Sequence, residues 1–192
     1  MPRATATAAA QTAQHVLDSA TTLFAAKGFA DVSLDDVALD AGVTRGAIYH
    51  HYRNKTGLFR AVASRLQTNV ADAVVAAAES AGADPAAQLR AGSHAFLDAI
   101  TAAPAVRVLL VDAPAVVGWE EWRHLDAENS GAHLREALSA AGVAEEILDA
   151  MTAQLSGAMN EAALWIALQP QNVSAREQAH TVLDQFLVAV VA

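Results

Sequence analysis

Between its glycines and prolines the chain holds only segments of helical length, and none alternates apolar and polar residues with the β-branched enrichment a strand requires. The interruptions fall at Gly28, Gly42, the stretch 80–85, Pro104, Pro114 with Gly118, Gly131, Gly142 and the turn 169–172 around Pro170. Ten glycines and five prolines are few for 192 residues, and the 54% of hydrophobic residues are drawn largely from alanine, so helix formers dominate throughout. This pattern predicts an all-α protein of about nine helices. The length allows one compact body, or a small head joined to a larger one.

Several classes are excluded by what is missing. Without cysteine there is neither a disulfide framework nor a zinc ribbon, and a reducing, cytoplasmic compartment is expected. The longest apolar stretches are short or broken by Arg107 and Asp112, so no spanning segment and no membrane partner are expected. Residues 1–10 lack the leucine-rich run of a signal peptide and are predicted to be a flexible tail. No HExxH, nucleophile elbow, P-loop or dinucleotide fingerprint occurs. His94, His124 and His133 lack the spacing of a zinc site, so no metal or cofactor is expected.

The first third carries the sharpest local signals. Val16, Ala20, Leu23 and Phe24 recur at helical spacing over 11–27, and Gly28 stands where a helix ends. Ser33 followed by Asp36 reads as a capping box opening a second helix that Gly42 interrupts. Thr44 can cap a third helix to about Tyr52, and Asn54 a fourth that starts at Lys55 and reaches about Glu79. Within 34–52 a small residue, Ala38, falls where two helices would cross closely. Gly42 permits a sharp turn, and Val43 and Ile48 can bury against Leu34 and Val37. That is the spacing of a helix-turn-helix. Its second helix would expose Arg45, Gly46, Ala47, Tyr49, His50 and His51, a mixture suited to groove edges and phosphates. His50 and His51 point about 100° apart on a helix and cannot chelate one ion together.

The charge distribution agrees. The chain carries a formal −9, yet residues 1–65 hold seven Lys or Arg against five Asp, leaving −11 for the remainder. Arg45, Arg53, Lys55, Arg60 and Arg65 lie in a window with no acid at all, a basic patch of the kind that contacts DNA.

Together, Leu23-Phe24, Gly28-Phe29, Ser33-Leu34, Val37-Ala38, the run from Gly42 through Tyr52, Lys55 and Leu58-Phe59 closely resemble the TetR family of bacterial regulators. The resemblance implies an all-α homodimer whose N-terminal heads read a palindromic operator in double-stranded DNA, usually repressing transcription until a small-molecule effector binds the body. It implies a helix-turn-helix domain over 1–55 and a ligand-binding and dimerisation domain over 56–192, joined through the fourth helix. Matched position by position, it implies Arg45 and Gly46 at base edges and His50 near a base or sugar. Thr44, Tyr49, His51 and Lys55 would hold phosphates, with Ser33 and Ala47 completing the contact set. The N-terminal arm has only Arg3 to offer a minor groove. A helical small-molecule enzyme and a protein-interaction module without DNA readout are the alternatives.

The body is less explicit. Trp119 and Trp122 would share one helical face and either line a ligand cavity or fill a junction between helices. Asn160 and Trp165 either meet a ligand or find partners at a dimer interface, and His94 completes the candidate pocket set. The pocket is expected between the fourth helix and the segment 95–165. Helical stretches over 144–168 and 174–191, with small residues Ser156, Gly157, Ala158 and Ala162, either build an intrachain core or, as the resemblance implies, a four-helix bundle between two subunits.

Overall fold

The computed structural model describes residues 2–169 and 172–190, and these form nine helices with no strand among them. α1 (Pro2–Lys27), α2 (Leu34–Asp40), α3 (Arg45–Tyr52) and α4 (Lys55–Ser80) are followed by α5 (Pro85–Thr101). α6 runs as π turns over Val106–Asp112 and continues as α-helix over Ala113–Val116. α7 begins over Trp119–Asp126, widens into π turns over Ala127–Gly131 and tightens again over Ala132–Ala140. α8 (Glu145–Ala167) and α9 (Asn172–Val190) complete the chain. The expected turn about Pro170 lies outside the described residues, as do Met1 and Val191.

One expectation is overturned at the start. α1 begins at Pro2 rather than near Gln11, so 2–10 is helix and not a flexible tail. The stretch contains no breaker after Pro2, whose fixed φ suits a first helical position, and its alanines carry the highest helix propensity.

Elsewhere the local signals act as their chemistry requires. The Ser33 hydroxyl accepts from the Asp36 N–H at 3.0 Å, and the Asp36 carboxylate accepts from the Ser33 N–H at 2.8 Å, closing the capping box. Those bonds from Ser33 hold the Asp36 carboxyl below the usual carboxylate range. Asn54 caps α4 by accepting from Gly57 N–H at 2.7 Å. Gly42 turns the chain at φ +66°, where a side chain would be strained.

α4 is the spine of the molecule. Its buried residues Leu58, Phe59, Val62, Leu66 and Val70 recur every three or four positions, so one stripe packs first in the head and then in the body. At the head end Phe24, Phe29 and Phe59 form a cluster with ring centroids 5.2 to 5.9 Å apart. In the body, α5 lies centrally, packing on α4, α7, α8 and α9, and buries Leu89, Phe96, Leu97 and Ile100. No single described helix is long and apolar enough to cross a membrane.

Candidate nucleic-acid interface

α2 and α3 meet as the sequence spacing requires. Leu34, Val37, Ala38 and Ile48 are buried, and the Val43 N–H donates to the Ala38 carbonyl at 3.0 Å across the turn. Thr44 caps α3 by accepting from Ala47 N–H at 3.3 Å. With Ile48 fixed inward, Arg45, Gly46, Tyr49 and His50 are exposed on the outer surface, while Ala47 and His51 are half-buried. The His50 and His51 rings sit edge to face at 5.2 Å. Tyr52 belongs to the packing, its hydroxyl donating to the Ala13 carbonyl at 2.8 Å. Ser33 is exposed at the entry of α2 but its side chain is engaged in the capping box.

The exposed cations are held in place. Arg45 donates to Asp35 at 3.0 Å and to the Tyr49 hydroxyl at 3.1 Å, and these contacts, Tyr49 first, raise its already high proton affinity. Lys55 donates to the Ala30 carbonyl at 3.2 Å and stands 4.3 Å from the centre of the Phe29 ring. A cation stacked on an aromatic face loses little motion when a phosphate arrives. Arg53 and Arg60 are exposed. Arg65 departs from the expected patch: it pairs with Asp18 at 2.5 Å and donates to the Leu17 carbonyl and the Thr21 hydroxyl, clamping α4 to α1. The sequence window that contained no acid could not show that Asp18 of another helix would claim this guanidinium.

The five candidate pocket residues of the body do not converge. Trp122 is buried, donating from Nε1 to the Leu109 carbonyl at 2.8 Å, whereas Trp119 stacks on it from outside. Asn160 is buried and donates to Asp126 at 3.3 Å, alongside the Ser156 hydroxyl at 3.1 Å. Burial pushes the Asp126 carboxyl up, and the bonds from Ser156 and Asn160 only partly offset this. Trp165 faces outward beside α9, in a groove with Ala158, Ala162, Val182 and Phe186. His94 pairs with Asp184 of α9.

A different set of residues forms the interior cleft. A cavity of about 290 Å³ opens between α4, α5 and α7, walled by Val74, Leu89, Phe96, Leu134, Ala137 and Met159. Ser93 and Ser130 also line it, and their hydroxyls are buried without a hydrogen-bond partner. Ordinary core alanines, leucines and serines surround this space, so periodicity alone could not distinguish its lining from packing.

The head and body touch at a second place besides α4. The Phe29 N–H donates to Asp112 of α6 at 2.9 Å, and Arg107 donates to the Lys27 carbonyl at 3.2 Å. Gly28, at φ +86°, lies against that guanidinium, and a Cβ there would come 2.3 Å from Arg107 Nη2.

Comparison with known proteins gives this arrangement its kin. Residues 16–62 match the model of the "Bacterial regulatory proteins, tetR family", and 86–190, more than half of the chain, match the "Tetracyclin repressor-like, C-terminal domain". The transcriptional regulator AcrR of Shigella flexneri is 38% identical over 90 residues, 47% of this chain and 42% of that protein. The probable acrEF/envCD operon repressor of Escherichia coli K12 is 44% identical over 59 residues, 31% of this chain and 27% of that protein. The matches thus span less than half the length of these two relatives. Among solved structures, a TetR-family transcriptional regulator from Pectobacterium atrosepticum superposes with a TM-score of 0.77 over 96% of both chains at 29% identity. With the helix-turn-helix at one end and the matching helical body behind it, the chain belongs to the TetR family.

Proposed function

We propose that the protein is a transcriptional repressor that binds a palindromic operator as a homodimer and leaves it when a small molecule enters the body. The observation that carries this reading is the outer face of α3, where Ile48 is locked inward and Arg45, Gly46, Tyr49 and His50 point away from the protein beside Lys55. In this reading residues 1–55 read DNA and 56–192 sense and dimerise. Thr44, Tyr49, His51 and Lys55 hold phosphates, Arg45 and Gly46 meet base edges, and Ser33, Ala47 and His50 complete the contact. The printed name of the E. coli relative supports repression over activation.

The apolar cleft between α4, α5 and α7 suits a small, mostly apolar effector, with the Ser93 and Ser130 hydroxyls free to orient it. α4 links this cleft to DNA. Val74 stands 19 residues beyond Lys55, about 28 Å along the helix axis, so a tilt forced at the cleft displaces the head. Because an effector releases DNA only through its preference for the arrangement that cannot bind, operator must weaken effector binding by the same factor. Nothing in this reading requires catalysis, a cofactor or a membrane, and a regulator of DNA works in the cytoplasm.

The test is selection of genomic fragments bound by the purified protein, followed by gel shift. Recovery of a palindrome bound at nanomolar concentration is expected. Binding without sequence preference at every salt concentration would overturn the reading.

A further inference from the structure

α5 and α9 face each other through a pattern that reads the same from both ends. Along α5 stand Arg90, His94 and Asp98, and along α9 stand Arg176, His180 and Asp184, each set spaced by four residues and therefore on one helical face. The helices meet head to tail, so Arg90 opposes Asp184, the two histidines oppose each other, and Asp98 opposes Arg176. Arg90 binds Asp184 through two bonds of 2.8 and 2.7 Å. His94 Nε2 lies 2.7 Å from the same carboxylate. At the other end Arg176 Nε and His180 Nε2 lie 3.4 and 3.2 Å from Asp98, at ion-pair distance but out of hydrogen-bond alignment, and Arg176 also reaches the Thr101 hydroxyl. Between the two ends the imidazole rings stack 4.2 Å apart and nearly parallel.

We infer that these paired Arg-His-Asp ladders are a pH-sensitive clasp that seats α9 on α5 and loosens when the stacked histidines are protonated. Two imidazolium rings at this separation repel, and the carboxylates that would offset them are already shared with arginines. Burial, then the neighbouring His94, then Arg176 pull the His180 proton affinity below the ordinary histidine value, against the opposing pull of Asp98 and Asp184. Burial pushes the Asp184 carboxyl up, but the bonds from Arg90 and His94 outweigh it and hold Asp184 below the usual range, so it stays ionised as His180 titrates. α8 also packs on α9, but its Glu161 lines the outer groove together with Gln178, which stands about 200° around α9 from His180.

The sign follows from these directions. Since His180 binds its proton less well in the clasp than when released, the clasp is at full strength above the ordinary histidine value of about 6.5 and is lost as pH falls below it. The side of α9 away from the ladder carries Val182 and Phe186, in the groove with Trp165. Loosening α9 therefore weakens pairing of two subunits through that groove. This consequence rests on the homodimer proposed above, while the clasp itself does not.

The experiment follows the imidazole resonances of the full-length protein by NMR from pH 8 to 5, in the wild type, His94→Gln and His180→Gln. Sedimentation equilibrium of the same proteins without DNA gives the dimer dissociation constant at pH 7.5 and 5.5. His180 is expected to titrate below the ordinary histidine range and to move up in His94→Gln. The dimer dissociation constant of the wild type should rise about fivefold or more on acidification and rise clearly less in either variant, where the repulsion between two stacked imidazolium rings is gone. Two variants are used so that a folding defect in one leaves the other to decide. The other histidines, His15, His50, His51, His124 and His133, are common to all three proteins. A His180 that titrates at the ordinary value and ignores His94→Gln would overturn the clasp. A clasp that titrates as expected beside a dimer constant that does not move would overturn its link to assembly, and a wild type monomeric at every pH would sink the dimer reading while the imidazole titration still decides on the clasp.

Discussion

Arg45 and Lys55 each have a partner in the free protein that DNA would have to replace or share in the proposed complex, and the two partners differ in kind. Arg45 is bridged to Asp35 and Tyr49, which fix the direction of its planar guanidinium, whereas Lys55 rests as a point charge on the Phe29 ring. Arg45→Ala should therefore cost roughly ten- to a hundredfold in affinity for the preferred operator and relax preference at one base position. Lys55→Ala should weaken all sequences about equally and flatten the salt dependence by about one unit. Fluorescence anisotropy on operator and scrambled duplexes at several salt concentrations separates the two, and interchanged phenotypes would show that the register of α3 on DNA is wrong. A second residue tests the body. Asp126 is buried with one oxygen unpartnered, and its carboxyl is pushed up by that burial. A raised carboxyl in the folded state means stability that is present at low pH and lost as pH rises through the folded value. Asp126→Asn removes the charge and keeps an acceptor for Ser156 and Asn160 at the position of Oδ2. It should stabilise the protein at pH 8 by on the order of 1 kcal/mol and have little effect near pH 4. Thermal melts at the two pH values check this, and a variant equally destabilised at both would refute it.

At the scale of elements, α6 joins the body to the head through side chains as α4 does through its backbone. The Phe29 N–H on Asp112 and the Lys27 carbonyl on Arg107 tie the turn after α1 to a helix whose first turns are in the wide π form. A π segment is held by its surroundings rather than by intrinsic preference, which makes α6, like α7, able to change its winding. The double variant Asp112→Ala, Arg107→Ala, which removes both side-chain ties of α6 to the turn after α1, should leave operator affinity within about threefold while reducing effector-induced release, because head and body would then communicate chiefly through α4. Gel shifts with and without effector measure both quantities, and unchanged release would remove α6 from the pathway. These elements also show which features the sequence could reveal. The capping box of Ser33 and Asp36, the turn at Gly42 and the cap at Thr44 are contacts within four residues, so their chemistry could be read locally. The π turns of α6 and α7 have no such local signature. The repeated Arg-x-x-x-His-x-x-x-Asp pattern of α5 and α9 was present in the sequence, but acquires meaning only once the two helices are known to face each other.

For the whole molecule, the remaining question is how one head becomes a reader of two-fold DNA. The sequence offers Trp119, Trp122 and Trp165 as pocket candidates beside readings as packing or dimer contacts, because aromatic residues on alanine-rich helices have no positional signal beyond the helical period, and the structure distributes them among a buried hydrogen bond, an outer ring contact and the α8–α9 face. That last face leaves three large apolar side chains partly in water. Trp165, Val182 and Phe186 are 40%, 47% and 49% exposed, and beside them Ala158 and Ala162 keep the surface low enough for another helix to approach. A lone chain would leave this patch in water, whereas a second copy related by a two-fold axis would cover it with its own and build four helices from two pairs. In the proposed complex the same axis would have to set two α3 helices about one DNA turn apart, roughly 34 to 36 Å or a related multiple. Phe186→Glu places a charge in the centre of the patch and touches neither the head nor the interior cleft. It should shift the protein to monomer in sedimentation velocity and leave the thermal transition of the monomer cooperative. Because the second head then no longer binds as a tethered partner, affinity for the full palindrome should fall by about 10²- to 10⁴-fold toward that of a single half-site, whose own weak binding should not change. A Phe186→Glu protein that remains dimeric would move the interface elsewhere on the molecule, and a monomer that still grips the full palindrome as tightly as the wild type would mean that one head alone suffices.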